Sequence, residues 1–202
     1  MLTVDNLSLF RDHKKIFSGL GFSVSINSAL IITGKNGCGK SSLLRILAGI
    51  SAATSGEIFW GGENIENFRD DFNGDSQFLG HKNFLKPELT VAENLKFYAR
   101  LNGTELALEA ALKFFELENL AGKKVKTLSA GWQKRAMLAK LLCCPSTVWF
   151  LDEPSTNLDK AGKEKLHGLI KTRIKEDGLV IIATHDEAFF DLGPKLNLED
   201  FV

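Results

Sequence analysis

Hydrophobic and polar residues alternate in two runs over the first 26 positions of the chain. The apolar positions of these runs are Leu2, Val4, Leu7 and Leu9, followed by Phe22, Val24 and Ile26. A period of two places alternate side chains on one face, which predicts two half-buried antiparallel strands with an exposed turn at residues 12–15 between them. A further short strand is predicted at residues 57–60, before Gly61 and Gly62.

Three apolar runs show no alternation, and this pattern predicts strands that are buried on both faces. They cover residues 30–32, 147–151 and 179–183. Apolar residues recur at helical spacing over 43–48, and further helices are predicted from Ser129, as N-cap, to about Leu142 and over residues 160–175. Buried strands that alternate with helices indicate an α/β fold with a mixed sheet core, preceded by an antiparallel part.

Residues 81–127 carry no strand pattern. Thr90 and Glu93 fit a capping box at the start of a helix, which Asn102 and Gly103 end. The apolar face of a second predicted helix consists of Leu106, Ala110, Phe114 and Leu117. We therefore expect one domain of 202 residues. Its α/β lobe is formed by residues 1–80 and 146–202, and an inserted helical lobe covers about 81–145.

The chemistry is centred on residues 34–41, which read GKNGCGKS and fit the phosphate-binding loop pattern G-x-x-x-x-G-K-[ST] of P-loop NTPases. Glycines let successive backbone N–H groups face an anion, and the following helix adds its positive end. We expect Lys40 to bind the β- and γ-phosphates and the Ser41 hydroxyl to bind Mg²⁺. The predicted nucleotide-binding residues of the loop are Gly34, Lys35, Asn36, Gly37, Cys38, Gly39, Lys40, Ser41 and Ser42.

Polar residues follow the buried strands at 147–151 and 179–183. Asp152 and Glu153 come after the first of these strands, and His185 comes after the second. Ligands of open α/β sheets bind at the carboxyl ends of the strands, where the phosphate loop also lies. We expect Asp152 to hold Mg²⁺ through water, Glu153 to act as general base on the attacking water, and His185 to contact the γ-phosphate.

The bulk composition excludes several classes of protein. The chain has 25 basic and 25 acidic residues, so it carries no electrostatic footprint for nucleic acid. No apolar run approaches the roughly 20 residues that span a bilayer, and residues 1–10 lack the pattern of a signal peptide, so we expect a cytoplasmic protein. Cys38, Cys143 and Cys144 lack metal-site spacing and are interpreted as free thiols, the last two of them buried.

The order of the motifs resembles the ATP-binding cassette (ABC) family of transporter ATPases over essentially the whole chain. The matching segments are GKNGCGKS, LSAGW, WFLDEP, TNLD and ATHD. The resemblance implies two subunits that close on two ATP molecules, with Asp159 in a loop at the dimer interface. It also implies that Phe10 stacks on adenine, although by position alone Phe10 is equally a rim residue of the core. The signature residues, implied to face the γ-phosphate of the second subunit, are Ser129, Ala130, Gly131 and Trp132.

Two features depart from the family pattern. Ala130 and Trp132 stand where the signature usually has glycine and glutamine. His81 stands where the family has the loop glutamine that contacts Mg²⁺ and senses the membrane partner, so His81 is included among the nucleotide-site residues. A neutral imidazole can accept a hydrogen bond, whereas a protonated one cannot. We therefore expect ATPase activity to fall at mildly acidic pH partly through His81.

The segments LGHKNFLKPELTVAENLKFYARL and LSAGWQKR narrow the resemblance to the ATP-binding subunits of the cytochrome c maturation system, which are regarded as haem exporters. This resemblance implies a separate multi-span membrane permease, an ATP-dependent homodimer and haem-handling membrane proteins. It also implies a position at the cytoplasmic face of the inner membrane.

The same motifs are compatible with other functions. One alternative is the ATPase subunit of another small exporter, for lipoproteins or peptides. Another is a soluble cassette protein that acts on DNA or ribosomes, although such proteins carry coiled-coil insertions or tandem cassettes. A module that binds nucleotide without hydrolysing it is disfavoured, because Lys40, Asp152, Glu153 and His185 are all present.

Overall fold

The structure is a computed structural model of the chain and describes residues 1–80 and 84–202, so His81 lies outside the described residues. Contacts divide the chain into two compact units. The first consists of Met1–Gly80, Ser146–Glu153 and Ile170–Val202, and the second of His81–Pro145 and Pro154–Leu169. Residues 154–169, which the sequence analysis assigned to the α/β lobe, thus group with the second unit. The lobe bounds themselves stay a prediction.

The described part of the chain contains both strands and helices. The strands are β1 (Leu2–Arg11), β2 (Lys14–Val24), β3 (Ser28–Thr33), β4 (Ser55–Trp60), β5 (Glu63–Asn64), β6 (Ser76–Leu79), β7 (Val148–Asp152), β8 (Leu179–Ala183) and β9 (Lys195–Asn197). The helices are α1 (Lys40–Leu47), α2 (Arg69–Gly74), α3 (Val91–Leu101), α4 (Ala107–Phe114), α5 (Ala130–Cys143) and α6 (Lys160–Lys175). Among the helices of the described residues, none has both the length and the apolar composition needed to cross a bilayer.

An antiparallel sheet in the first unit has the strand order β2-β1-β4-β5. The alternating pattern predicted β1 and β2, and β4 was predicted separately at residues 57–60, but the turn after β1 is shorter than predicted. Only Asp12 and His13 connect the strands, because Lys14 already pairs with Arg11. Both turn residues have positive φ, 48° and 63°, which suits a two-residue hairpin. Ile26 lies beyond the end of β2 and is exposed.

A parallel sheet in the same unit has the strand order β6-β7-β8-β3-β9. Strands β7 and β8 are buried along their whole length, as their continuous apolar runs predicted. The register places Asp152 and Ile32 on either side of Ala183. The two sheets and their helices confirm the α/β fold class. The sequence did not predict β9, a three-residue edge strand without a buried residue.

Helix α1 packs against the parallel sheet and fixes the position of its own first turn. Leu43, Leu44 and Leu47 are fully buried, in a core that also contains Phe150 of β7 and Ile181 of β8. Burying one such leucine side chain stabilises the fold by about 1.5–3 kcal/mol. The helix start at Lys40 is therefore held by apolar packing behind it.

Helix α3 of the second unit begins and ends as the sequence predicted. Its capping box is confirmed, because the Thr90 N–H donates to Glu93 Oε2 (2.8 Å) and the Glu93 N–H donates to Thr90 Oγ1 (3.1 Å). The helix ends at Leu101, directly before Asn102. The Asn102 side chain donates to the Tyr98 carbonyl (2.8 Å), which satisfies one of the last carbonyls of the helix.

The predicted apolar face of helix α4 is wrong. Leu106 is 98% exposed and Ala110 is also exposed. The buried apolar residues of this segment are Ala111, Leu112, Phe115 and Leu117. The prediction assumed a helix that continues to Leu117, but Glu116 has a φ of 60° and the helix stops at Phe114. A shorter helix buries a different face.

Cys143 and Cys144 are buried free thiols, as the sequence predicted. Burial raises the pKa of the Cys143 thiol to about 12 and also raises the pKa of Cys144. Both thiols are therefore protonated at neutral pH, and the thiolate is the reactive form of cysteine. Cys38, in the phosphate loop, is a partly exposed free thiol.

Candidate functional site

The phosphate loop connects β3 to α1 and has the backbone that its glycines predicted. Gly34 and Gly39 have φ of 137° and 109°, in the left-handed region that other residues rarely adopt. A Cβ added to Gly34 would lie 2.8 Å from Cys38 Sγ, and one added to Gly39 would lie 2.6 Å from Ile16 Cγ2. Both the backbone conformation and the packing therefore require glycine at these two positions.

Lys40 is one of the two basic residues of this loop, and Lys35 is the other. Its side chain is largely buried, and Nζ donates to the carbonyl oxygens of Gly34 (2.6 Å) and Lys35 (3.1 Å). An ammonium group has three donors, so one remains for a ligand. The Lys40 ammonium group, which the sequence predicted to bind the phosphates, is therefore held at the loop by backbone carbonyl groups of the loop itself.

Three neighbouring strands bring the other predicted residues to the same edge of the parallel sheet. Asp152 is the last residue of β7, and its neighbour in β8 is Ala183, the residue before Thr184. The next strand, β3, leads directly into Gly34. Since all three strands are parallel, Glu153, His185 and the phosphate loop leave the sheet at one edge.

Glu153 is bound to two residues that follow β8. Its Oε1 lies 3.0 Å from His185 Nδ1, and its Oε2 accepts a hydrogen bond from Thr184 Oγ1 (3.3 Å). The Glu153 N–H donates to the Ala183 carbonyl (2.9 Å). Glu153 has a φ of 45°, a left-handed conformation that is strained for a residue other than glycine and is concentrated at functional sites. The carboxylate is therefore fixed in direction at a cost in backbone energy.

Asp152 has a different environment from its neighbour in sequence. It is 3% exposed, and no described residue donates a hydrogen bond to its carboxylate. A carboxylate that receives no hydrogen bond is available to a bound cation, which would offset the cost of burying most of the residue. Together with the Ser41 hydroxyl at the start of α1, it supplies the hard oxygen ligands that Mg²⁺ prefers, so the donor chemistry fits this ion.

Three of the four signature residues line one cavity within the second unit, together with Asp159. This cavity has a volume of about 240 Å³ and is lined by Ser129, Gly131, Trp132, Arg135, Asn157 and Asp159. Ser129 is at the N-cap position of α5 as predicted, but its side chain makes no capping hydrogen bond. Asn157 lies close enough that its carbonyl oxygen would be 3.0 Å from a Cβ added to Gly131. The segment of residue 131 therefore packs tightly against the loop that carries Asp159.

Arg135 organises this cavity through side-chain contacts. Its guanidinium donates two hydrogen bonds to Asp159 (2.7 and 3.0 Å) and one to Glu116, which is also 3.2 Å from Lys165 Nζ. The same guanidinium lies 4.9 Å from the centre of the Trp132 ring. Planar stacking and a forked hydrogen-bond pattern are properties of arginine that lysine lacks. The guanidinium that contacts the Trp132 ring is therefore itself held in place by Asp159 and Glu116.

The charges of this cluster reinforce each other. The hydrogen bond from Arg135 lowers the pKa of Asp159, aided by the Gly162 N–H, and hydrogen bonds from Arg135 and Lys165 lower the pKa of Glu116. Burial opposes the charge of Arg135, but its bonds to Asp159 and Glu116 outweigh burial and raise its pKa. All three side chains are therefore ionised near neutral pH.

Phe10 is separate from these two clusters. It lies at the end of β1 and is 45% exposed, and its N–H donates to Thr54 Oγ1 (2.9 Å). This exposure fits both a ring that stacks on adenine and a rim residue of the core, so the role of Phe10 stays a prediction. The predicted role of His81 cannot be compared with the structure, because His81 lies outside the described residues.

Three residues of these clusters were not selected from the sequence. Thr184 was noted only as part of a strand end, and Arg135 and Glu116 were not considered. A signal existed for Arg135, since it lies one helical turn after Trp132. Glu116 had none, because its contact with Arg135 depends on the left-handed turn that ends α4.

Comparison with known proteins identifies the family. The ABC transporter family matches residues 17–156, which is more than half of the chain. The chain belongs to the ABC transporter family. It is an ATPase of this family, as its motifs predicted.

Curated relatives of this ABC ATPase cover almost its whole length. It is 40% identical to "Cytochrome c biogenesis ATP-binding export protein CcmA" of Paramagnetospirillum magneticum, over 97% of this chain and 93% of the relative. It is also 40% identical to the protein of the same name from Vibrio vulnificus, over 97% of both chains. The match to the Wolbachia pipientis protein of that name is 39%, over 92% and 89% of the two chains.

Solved structures of ABC cassettes share this fold. An ABC transporter ATP-binding protein from Pyrococcus furiosus has a TM-score of 0.85 and 26% identity, over 99% of this chain and 98% of that one. A dimer of the cassette MJ0796 bound to ADP and Pi has a TM-score of 0.84 and 23% identity, over 96% and 91%. At 23% identity, the similarity to the MJ0796 cassette shows a shared fold and nothing further.

Proposed function

We propose that this ABC ATPase is the ATP-hydrolysing subunit of a transporter complex for c-type cytochrome biogenesis, which exports haem or releases it from a haem chaperone. One observation carries the ATPase part of the proposal: strands β7, β8 and β3 deliver Asp152–Glu153, Thr184–His185 and the phosphate loop to one edge. The role in cytochrome c biogenesis is supported by relatives of that name at 40% identity along nearly the whole chain.

ATP binds with its phosphates on the loop formed by residues 34–42. Lys40 contributes its remaining N–H donor and its charge to the β- and γ-phosphates, and the start of α1 contributes its partial positive charge. Phe10 stacks on the adenine ring, which its exposure allows. His81 acts at the same nucleotide site as a replacement for the glutamine of the family.

The Ser41 hydroxyl and Asp152 would hold Mg²⁺. The low exposure of Asp152, to which no described residue donates a hydrogen bond, supports this assignment. When bound, Mg²⁺ neutralises charge that develops on the phosphate oxygens.

Glu153 is the general base of hydrolysis. Its carboxylate takes a proton from the water that attacks the γ-phosphorus, while the Thr184 hydroxyl and His185 fix its direction. His185 Nδ1 faces Glu153, so Nε2 is the ring atom that contacts the γ-phosphate.

A second copy of the chain completes each ATP site. Ser129, Ala130, Gly131 and Trp132 of one copy face the γ-phosphate held by the other, and Asp159 lies at the contact between the copies. Ser129 is the N-cap residue of α5, but its side chain makes no capping hydrogen bond. This supports the role, because its hydroxyl is available to bind a ligand at the start of the helix. The dimer works on a separate multi-span permease at the cytoplasmic face of the inner membrane, together with haem-handling proteins and without nucleic acid.

Affinity purification from detergent-solubilised native membranes tests this function. Glu153→Gln with ATP traps the closed dimer, because it removes the base and keeps the nucleotide contacts. We expect this variant to recover more permease than the wild-type chain, together with haem-handling proteins. Glu187→Gln is the matched control, since Glu187 is exposed on the short helix that follows His185.

The recovered partners distinguish the alternatives. A different permease, of a lipoprotein or peptide exporter, would retain the ATPase mechanism and contradict the role in cytochrome c biogenesis. Ribosomes or nucleic acid alone would contradict transport as a whole. Equal recovery with Glu153→Gln and Glu187→Gln would contradict the assignment of Glu153 as the base.

A further inference from the structure

The phosphate loop has a contact with a distant part of the chain that no motif predicts. The Lys35 N–H donates to Glu199 Oε1 (2.7 Å), across 164 positions of sequence. Lys35 Nζ also lies 3.5 Å from Glu199 Oε2. The Lys35 side chain is 87% exposed, so this ion pair is weak and the backbone hydrogen bond is the defining contact.

The position of Glu199 is fixed by the fold on both sides. Strand β9 pairs with β3 in the register that sets Asn197 beside Thr33, the residue before the loop. Leu198 is fully buried, and the Asn197 side chain accepts a hydrogen bond from the Glu199 N–H (3.3 Å). The carboxylate is therefore directed at the loop by a short helix with a buried anchor.

The peptide unit that joins Gly34 to Lys35 is held at both of its polar atoms. Its N–H, which is that of Lys35, donates to Glu199, and its carbonyl oxygen, which is that of Gly34, accepts a hydrogen bond from Lys40 Nζ (2.6 Å). The Glu199 stem also lies beside Gly34, since a Cβ added there would be 3.6 Å from Glu199 Cγ. Movement of Glu199 would thus release the start of the loop and alter the hydrogen bonding of Lys40.

We propose that Glu199 is a positioning residue, which acts through the Lys35 peptide to hold the phosphate loop and Lys40 in the conformation that binds ATP. The inference rests on ATP binding at this loop. The hydrogen bond from Lys35 lowers the pKa of Glu199, and the charges of Lys35 and Lys40 lower it further, so the carboxylate is ionised at neutral pH. A charged acceptor makes the stronger hydrogen bond.

A negative charge near bound phosphates also has an opposing effect, because it repels them. Two variants separate the two effects. Glu199→Gln keeps an oxygen acceptor and the side-chain stem but loses the charge, whereas Glu199→Ala loses the charge and the acceptor. Both variants lack the charge, so the difference between them measures the hydrogen bond together with the packing of the side-chain stem.

Equilibrium binding of a fluorescent ATP analogue is the first measurement. We expect Glu199→Ala to bind about 3- to 10-fold more weakly than Glu199→Gln, the effect of one partly exposed hydrogen bond. The KM for ATP should rise by a similar factor with little change in kcat. Asp200→Ala and Asp200→Asn are the matched control pair, because Asp200 lies on the same short helix and bonds Asn197 instead of the loop. These two should bind alike.

The amide proton of Lys35 in the nucleotide-free protein is the second measurement, by NMR. It should move upfield in Glu199→Ala and stay near its wild-type position in Glu199→Gln. Equal ATP binding by the two Glu199 variants, or equal Lys35 amide shifts, would overturn the proposal. A wild-type chain that binds no ATP would contradict the proposed function instead, and the amide shifts would still decide the role of Glu199.

Discussion

The functional edge of the parallel sheet and the cluster of side chains around Arg135 are held together by different kinds of interaction. At the sheet edge, the register of β7, β8 and β3 and the left-handed glycines of the loop set the positions of the functional groups. In the Arg135 cluster, four side chains hold one another: Glu116, Trp132, Arg135 and Asp159. The first arrangement is made by backbone and the second by side chains.

This difference determines how each region tolerates change. Strand register involves many backbone hydrogen bonds, so a single substitution at the sheet edge alters chemistry and leaves the scaffold in place. The side-chain cluster depends on the forked geometry of one guanidinium, so a conservative substitution there alters the scaffold itself. The predictions below test this contrast, beginning with the largest expected effect.

Glu153→Gln should lower kcat for ATP hydrolysis by about 10²- to 10⁴-fold, the range for loss of a general base. The scaffold should be unaffected, because the Glu153 N–H bond to Ala183 is made by the backbone. The measurement is steady-state ATPase activity beside ATP affinity and the melting temperature. A large loss of ATP affinity or of melting temperature would contradict a backbone-held site.

Thr184→Val should lower kcat by about 10-fold and leave the KM for ATP within about twofold. Valine keeps the buried shape of Thr184 but removes the hydroxyl that donates to Glu153. Thr184→Ser, which retains the hydroxyl, is the control and should recover most of the activity. If serine and valine behave alike, the hydroxyl does not direct Glu153.

Arg135→Lys should lower the melting temperature by about 3 °C or more, even though it conserves the charge. Lysine cannot bind Glu116 and Asp159 together or stack on Trp132. The control is Arg100→Lys, a substitution at an exposed arginine on α3. Thermal unfolding without nucleotide compares the two, and equal melting temperatures would show that the side-chain cluster is not a scaffold.

The Arg135 cluster should also make stability depend on acid pH. The pKa values of Glu116 and Asp159 are lowered in the folded chain, so their stabilisation is complete above the ordinary carboxylate pKa of about 4 and is lost as pH falls below it. Urea unfolding of the wild type and of Glu116→Gln/Asp159→Asn should differ more at pH 7 than at pH 3. A difference that does not change with pH would contradict this electrostatic account.

His81→Gln should flatten the fall of ATPase activity between pH 7 and pH 6, the smallest of the expected effects. A protonated His81 cannot accept the hydrogen bond that a glutamine accepts at all pH values. His167→Gln is the control, since it removes an imidazole from α6, at a position that belongs to none of the nucleotide motifs. An unchanged pH profile in His81→Gln would remove His81 from the site.

The same contrast explains which features the sequence could predict. Buried parallel strands are continuous apolar runs, and β8 was therefore predicted to the residue. The loop motif specifies a backbone path through its glycines, and the capping box specifies the start of α3 through Thr90 and Glu93. In each case the information is local. Either both partners of an interaction lie within a few residues of each other, or an apolar run is long enough to identify the strand.

Features that depend on distant side chains could not be predicted in this way. The face of α4 was assigned wrongly because the helix stops at Phe114, two residues before the left-handed residue Glu116, and no glycine marks this turn. Glu199 reaches Lys35 through the register of β9, a strand of three residues with no apolar run. The contacts of Arg135 join three separate segments of sequence. Spacing along the chain carries no information about such pairs.

The left-handed backbone of Glu153 has a consequence for how this site can evolve. Asparagine, aspartate and glycine adopt positive φ most easily, and each of them at position 153 would relieve strain of about 1 kcal/mol or more. None of them has a carboxylate on a stem as long as that of glutamate. Random substitution would therefore produce inactive chains that are more stable than the active one, and only selection for ATP hydrolysis keeps glutamate in this conformation.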